Sequence, residues 1–242
     1  MPKALIAAAL ALLLVVGRAG PGAAEEGKVV VELFTSQGCS SCPPADEILR
    51  HLAGRDDVIA LALHVDYWDY IGWADTFARA DHTVRQKAYA RSFGARMIYT
   101  PQMVIGGQDS VVGARPMEVM ATLSRHAGQA PGLDLQAWRE GERIAVRAGV
   151  PQAGAGAGAG AGAAMSVQLV RYRPFAEVDI KRGENAGRTL DYTNIVTAWD
   201  NVAEWSGAAP LTLDLPAAGD APAVVIVQEA GPGAILAAVE VR

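Results

Sequence analysis

Two patterns of apolar positions divide the chain. From residue 28 to residue 127, short β-branched runs alternate with stretches of helical period. KVVVELFT (Lys28 to Thr35) and VIALALHV (Val58 to Val65) are short and nearly uninterrupted, the pattern of buried strands. PPADEILRHLA (Pro43 to Ala53) places Ile48, Leu49 and Leu52 on one face. Prolines open it, Asp46 and Glu47 lie in its first turn and Gly54 stops it, so it predicts a helix. His82 to Phe93 predicts a second helix closed by Gly94, and Arg115 to Ala127 a third with Val119, Met120 and Leu123 inward. Between them, Pro101 to Ile105 and Ser110 to Val112 predict a hairpin around Gly106-Gly107. The order β-α-β-α-β-β-α predicts an α/β layer around a mixed sheet over residues 28–128.

Beyond Gly128-Gln129-Ala130-Pro131-Gly132 the helical period disappears. Alternating runs follow at Arg143 to Val150, Met165 to Tyr172, Arg188 to Val196, Leu211 to Leu215, Ala223 to Gln228 and Ile235 to Val241. Turn residues separate them, which predicts a separate all-β domain over residues 132–242, sandwich-like in architecture. Ala153 to Ala164 is almost pure alternating Ala-Gly between two strand candidates. It reads as an expanded surface loop and has no polar side chain with which to do chemistry.

The first 24 residues have a different character. Lys3 precedes an apolar run from Ala4 to Val16, too short for a bilayer, which needs about 20 residues, but suited to an export signal. Small residues at Gly22-Ala23-Ala24 mark the expected cleavage point. The mature chain is then expected in the periplasm or outside the cell, where disulfides persist, with no membrane span. The net charge is −5 and no basic run occurs, which argues against a nucleic-acid partner. Two cysteines in 242 residues exclude both a disulfide-rich scaffold and a four-thiolate zinc site.

Those cysteines carry the candidate chemistry. Cys39-Ser40-Ser41-Cys42 lies between the first predicted strand and the first predicted helix. A helix N-terminus favours negative charge and therefore a thiolate, the form that attacks disulfides and binds soft metals. A second thiol at this spacing resolves the mixed disulfide that forms. Two other readings remain. A structural disulfide closing so short a loop would contribute only on the order of 2 kcal/mol in the chain-entropy picture. Half of a zinc site would lack its complementary ligands.

Several stretches extend this into a resemblance. Strand, CSSC, helix, strand, helix, then Tyr99-Thr100-Pro101 leading into a strand resembles a thioredoxin fold. More closely, VELFTSQGCSSCPPAD (Val31 to Asp46), HVDYWDYIGWAD (His64 to Asp75), YTPQMVIGG (Tyr99 to Gly107) and GENAGRTLDYTNIV (Gly183 to Val196) resemble a secreted bacterial family known as a domain of unknown function, number 1223. The thioredoxin-like resemblance implies that Cys39 is the nucleophile and Cys42 the resolving thiol. It also implies that Pro101 is a cis-proline facing them and that the Thr100 backbone contacts a bound peptide. Glu32 resembles the buried acid that assists proton transfer in that fold. Its spacing to Cys39 is one residue longer, and a solvent-facing Glu32 fits the strand equally well.

Tyr67, Trp68 and Trp73 follow the second predicted strand, whose carboxyl end shares a sheet edge with that of the first. They are candidates for a substrate rim beside the CSSC turn; equally, the tryptophans could tuck onto the core. His64 closes that strand and is either a satisfied buried histidine or a third ligand, with Cys39 and Cys42, for Cu(I). The leading expectation is an exported thiol–disulfide oxidoreductase acting on protein thiols or disulfides, or on small thiols, without a bound cofactor. The alternatives are a Cu(I)-binding module and a secreted interaction protein without catalysis.

Overall fold

The computed structural model describes residues 27–129, 132–151, 164–217 and 219–241. The expected export signal at 1–24 and nearly all of the Ala-Gly stretch lie outside the described residues. The α/β half contains β1 (Val29–Thr35), α1 (Pro43–Leu52), β2 (Val58–His64), α2 (Ala80–Ser92), β3 (Gln102–Ile105), β4 (Asp109–Val112) and α3 (Pro116–His126). The remainder is β5 (Leu135–Glu140), β6 (Arg143–Ala148), β7 (Met165–Asp179), β8 (Thr189–Trp205), β9 (Leu211–Pro216), β10 (Ala223–Glu229) and β11 (Ile235–Val241).

Local chemistry accounts for the first half. β1 and β2 are buried along their whole length and pair in parallel from Val29↔Val58 to Thr35↔His64. α1 begins with two prolines, which need no amide partner there. The β3–β4 turn uses Gly106 and Gly107, both at positive φ (60° and 71°), a conformation that glycine adopts without strain. Side chains alternate across the sheet. Val29, Val31 and Leu33 of β1 and Val58, Ala60 and Ala62 of β2 pack under α1 and α3. Val30 and Phe34, with Ile59, Leu61 and Leu63, face Tyr89 of α2.

A thioredoxin-like α/β domain followed by an independent β sandwich is not what forms. Of the described residues 43% are strand and 18% helix, and eight strands drawn from both halves make one mixed sheet. Its order is β11-β10-β7-β8-β2-β1-β3-β4. The physical reason lies in β2. An interior apolar strand needs partners along both edges, and β8 takes the edge that β1 leaves free, pairing in parallel at Ala62↔Ile195. Val170, Val196, Val224 and Ile226 from the second half consequently share one core with Val30, Phe34 and Leu63 from the first. A smaller sheet, β5-β6-β9, covers the other face of the C-terminal strands through Ile144, Val146, Leu169, Val225 and Val227.

β7 and β8 run past the expected ends at Tyr172 and Val196, with 15 and 17 residues. Two register shifts along their ladder let so long a hairpin bend with the sheet. The hairpin carries the loop between Ile180 and Arg188 to the carboxyl end of β1.

A buried polar cluster ties α2 to both halves. Glu32 is fully buried rather than solvent-facing; Arg85 of α2 donates to it through Nε and Nη2, and the Tyr89 hydroxyl donates to it as well. Arg85 also donates to Gln228 of β10 and lies 3.8 Å from the Trp199 ring centroid. Glu32 is thereby committed to a clamp on the α2 face of the sheet. Arg85→Met keeps most of the stem but leaves the carboxylate unpaired in the interior. The expected loss is about 3–5 kcal/mol in urea unfolding; a loss under about 1 kcal/mol would show that water reaches Glu32.

Candidate functional site

The site lies where β1 and β2 end. Cys39 and Cys42 form a disulfide, with Cα atoms 5.4 Å apart, in the turn that leads into α1. Cys42 is the N-cap residue of α1, and its carbonyl accepts from the amides of Ala45 and Asp46. Pro43 and Pro44 carry no N–H, so the helix start offers a thiolate its dipole but no free amide from the first two positions. Ser40 and Ser41 are exposed, and the Ser41 hydroxyl is 3.4 Å from Cys39 Sγ. Cys39 and Cys42 are themselves buried, at 1% and 0% exposure.

Three segments brace the turn. The first is the loop after β2, which contains a short 3-10 turn at Asp69–Ile71. The Asp75 carboxylate accepts from the Gln37 amide at 2.7 Å, and Trp73 Nε1 donates to the Gln37 side chain. A Cβ on Gly38 would stand 3.2 Å from that of Trp68, so glycine permits the close approach. The second is the strand start at Pro101. The Thr100–Pro101 peptide is cis, and the β1–β3 register places Pro101 just beyond the Phe34↔Gln102 pair, at the carboxyl end of β1. Trp68 Nε1 donates to Thr100 Oγ1 at 2.8 Å, linking this segment to the first. Tyr67, Trp68 and Trp73 are half-buried and joined by hydrogen bonds to Gln86, Thr100 and Gln37. Trp68 and Trp73 stand beside the segment that leads into the CSSC turn, whereas Tyr67 turns toward α2 through Gln86.

The third brace comes from the far half of the chain. Asn185, in the β7–β8 loop, is buried and donates its side-chain amide to the carbonyls of both Gln37 and Cys39, each at 3.0 Å. Arg188 donates in turn to Asn185 Oδ1. From sequence, Gly183 to Gly187 reads as a tight loop feeding a half-buried strand, with a binding role for Glu184, Asn185 or Arg188 as the other reading. The signal that points to Asn185 is its place in a turn-rich stretch, but its partner 146 residues away cannot be read from that.

Beneath the turn lies a set of buried titratable groups. His64 Nδ1 and Asp75 Oδ2 are 2.7 Å apart, with neither side chain exposed. Burial alone would raise the Asp75 pKa; the neighbouring His64 and the amides of Gln37 and Phe77 outweigh it and hold the carboxyl below its ordinary value. Asp46, one turn into α1, accepts from Thr35 Oγ1 at 2.8 Å. Burial pushes Asp46 up to about 7, against the downward pull of His64 and Thr35 and with a small upward push from Asp75. His82, whose Nδ1 is 2.8 Å from the His64 carbonyl, is pushed down by burial to about 4. Cys39, Cys42 and His64 are not brought together as ligands: among the described residues, no group of three or more His, Cys, Asp or Glu side chains is disposed to hold a metal ion.

Two tests follow from these contacts. Asn185→Ala strips two buried carbonyls of a donor, so the oxidised protein is expected to lose about 1–3 kcal/mol in denaturant unfolding. An unchanged midpoint would mean that the turn holds itself. The second test is pH-dependent. The folded pKa of Asp46 lies above its unfolded value of 3.8, so its contribution is fully present below pH 3.8 and is lost as pH rises to about 7. Asp46→Asn is therefore expected to remove a fall in unfolding free energy between pH 4 and 7. Equal pH slopes in variant and wild type would place the folded Asp46 pKa near its ordinary value.

No curated protein matches the chain. A crystal structure of a protein from Agrobacterium tumefaciens is similar at 33% identity and a TM-score of 0.75, covering 89% of this chain and 94% of that one. HBP35 of Porphyromonas gingivalis shares the fold at 13% identity and a TM-score of 0.59, covering 89% of this chain and 74% of that one. Residues 30–228, which include the CSSC turn, the cis-proline and the Asn185 loop, match the family described as protein of unknown function, DUF1223. The chain belongs to the DUF1223 family.

Proposed function

We propose that the protein is an exported thiol–disulfide oxidoreductase working through Cys39 and Cys42. The apolar run at Ala4 to Val16 supports export. The observation that carries the reading is the disulfide itself, closed at the start of α1 and braced by Asp75, Trp68 and Asn185 through the neighbouring backbone and side chains. A disulfide needed only as a staple gains little from so short a loop. In the reducing direction, a partner thiolate attacks one sulfur of the Cys39–Cys42 bond, and the second partner thiol displaces the first from the mixed disulfide. The protein leaves as a dithiol and the partner as a disulfide. In the other direction, the Cys39 thiolate attacks a partner disulfide and expels one partner thiolate. Cys42 then attacks Cys39 Sγ, re-forms the internal bond and expels the second thiolate. The partner approaches over the exposed Ser40-Ser41, beside Trp68 and Thr100-Pro101.

One observation favours a second reading, a non-catalytic interaction protein: both cysteine residues are at most 1% exposed. Equilibration in glutathione buffers with a count of free thiols separates the two. A reduction potential between about −120 and −270 mV is expected for an exchange catalyst, whereas a value below about −300 mV marks a structural bond. Cys39→Ser should abolish exchange, and Cys42→Ser should accumulate a mixed disulfide. Full exchange activity in both variants would overturn the oxidoreductase.

A further inference from the structure

The outer half of the β7–β8 hairpin has an edge that the sheet does not use. β10 pairs with β7 only as far as Ala223↔Arg171, and the Tyr172 amide donates to the Pro222 carbonyl just beyond. From Arg173 to Asp179, β8 is the single strand beside β7 among the described residues. Every residue of that segment is exposed or half-buried, and Phe175 keeps 55% of its surface in water. An uncovered strand edge presents amides and carbonyls that another chain can pair with, and folds commonly blunt it by shortening, bulges, lysine or proline. Here the segment holds one register against β8, from Arg173↔Ile195 to Asp179↔Thr189, and contains no lysine. Pro174 blunts it at one position. By contrast β4, at one end of the large sheet, is only four residues long.

The order of residues along this edge is self-complementary. Arg173 and Asp179 lie three residues to either side of Ala176, and Phe175 and Glu177 lie one residue to either side. Arg173 rests 5.5 Å from the Phe77 ring centroid and has no carboxylate partner among the described residues. Glu177 is exposed and likewise makes no ion pair among them. Asp179 meets Lys181 and Thr189 at the surface, with its carboxylate held below its ordinary pKa by those two contacts.

We infer that this edge pairs with the same edge of a second copy of the chain, antiparallel and about a two-fold axis at Ala176. Residues directly opposite one another share a side of the ladder. Arg173 of each copy then faces Asp179 of the other and stands diagonal to its Glu177. Phe175 of each copy faces Glu177 of the other, and the two Phe175 rings meet diagonally across the axis, a spacing that aromatic side chains span. Such a contact is closed, because each edge is used once and assembly stops at two copies. An unrelated extended peptide could satisfy the backbone, but the same edge reversed supplies both charge matches at once. The pairing is independent of the thiol chemistry and holds whatever Cys39 and Cys42 do.

The test is sedimentation of the mature chain, disulfide intact, from about 5 to 500 µM, a range suited to the weak association that small interfaces give. A monomer–dimer equilibrium is expected, with a dissociation constant on the order of 10 µM. Arg173→Glu and Asp179→Arg each set like charges opposite one another at both ends of the ladder, so each should weaken the dimer about tenfold or more. An equimolar mixture of the two variants restores both matches and should dimerise as the wild type does. Phe175→Ser should weaken the dimer with every charge in place, and it decides the matter if either charge variant does not fold. A wild type that stays monomeric up to about 500 µM overturns the second copy as the occupant of this edge. A dimer that all three variants leave unchanged, or a mixture that fails to recover it, overturns the edge pairing.

Discussion

The site depends on the docking of β8 against β2. Only Ala62↔Ile195 pairs in register there, and the seam is mended by a side chain. Asn194 sits at φ 50°, a conformation asparagine tolerates better than most residues, and donates its amide to the Ala60 carbonyl at 2.9 Å. This contact fuses the two halves of the chain into one sheet and sets the height of the β7–β8 hairpin. Nine residues before Asn194, Asn185 then reaches the Gln37 and Cys39 carbonyls. Were the halves independent domains, the CSSC turn would lose that brace, and Tyr192 would not meet His64.

The buried charges on the two faces of this sheet behave differently. On the α2 face, Glu32 is matched completely by Arg85 and Tyr89, with Gln228 and Trp199 closing the far side of the guanidinium. A fully satisfied ion pair fixes geometry, and nothing is left over for chemistry. On the α1 face, Asp46, His64 and Tyr192 each keep one polar atom without a protein partner. Hydrogen-bonding capacity that no protein group meets is costly in the interior, and the fold retains it at these three positions. Asp75 connects the two requirements: one oxygen holds both His64 and the Gln37 amide, so the same carboxylate orders the imidazole and anchors the turn above it.

Burial also governs access to the sulfurs. The loop from Asp66 to Asp75 covers the turn through Trp68 and Trp73, yet its indole N–H groups are bonded to Thr100 and Gln37, single contacts on partly exposed side chains. Such contacts contribute about 1 kcal/mol each.

Short-range chemistry wrote much of this plainly. The apolar runs of β1 and β2, the proline start of α1, the glycine turn between β3 and β4 and the CSSC turn between strand and helix are local signals, and each element lies within a few residues of its expected place. Cys39 and Cys42 were legible from their spacing before a helix and Tyr67, Trp68 and Trp73 from an aromatic cluster after a strand, whereas Thr100 and Pro101 became candidates only through the resemblance to a thioredoxin fold. Periodicity says which face of a strand is buried but is silent about its neighbour. Hence β8 as the partner of β2 was invisible, and strands from both expected domains proved to share one eight-stranded sheet. Asn185, Asp46 and Tyr192 look like ordinary turn, helix and strand residues for the same reason. Their chemistry comes from partners 11 to 148 residues distant in sequence or from burial against them, and only long-range packing creates that environment.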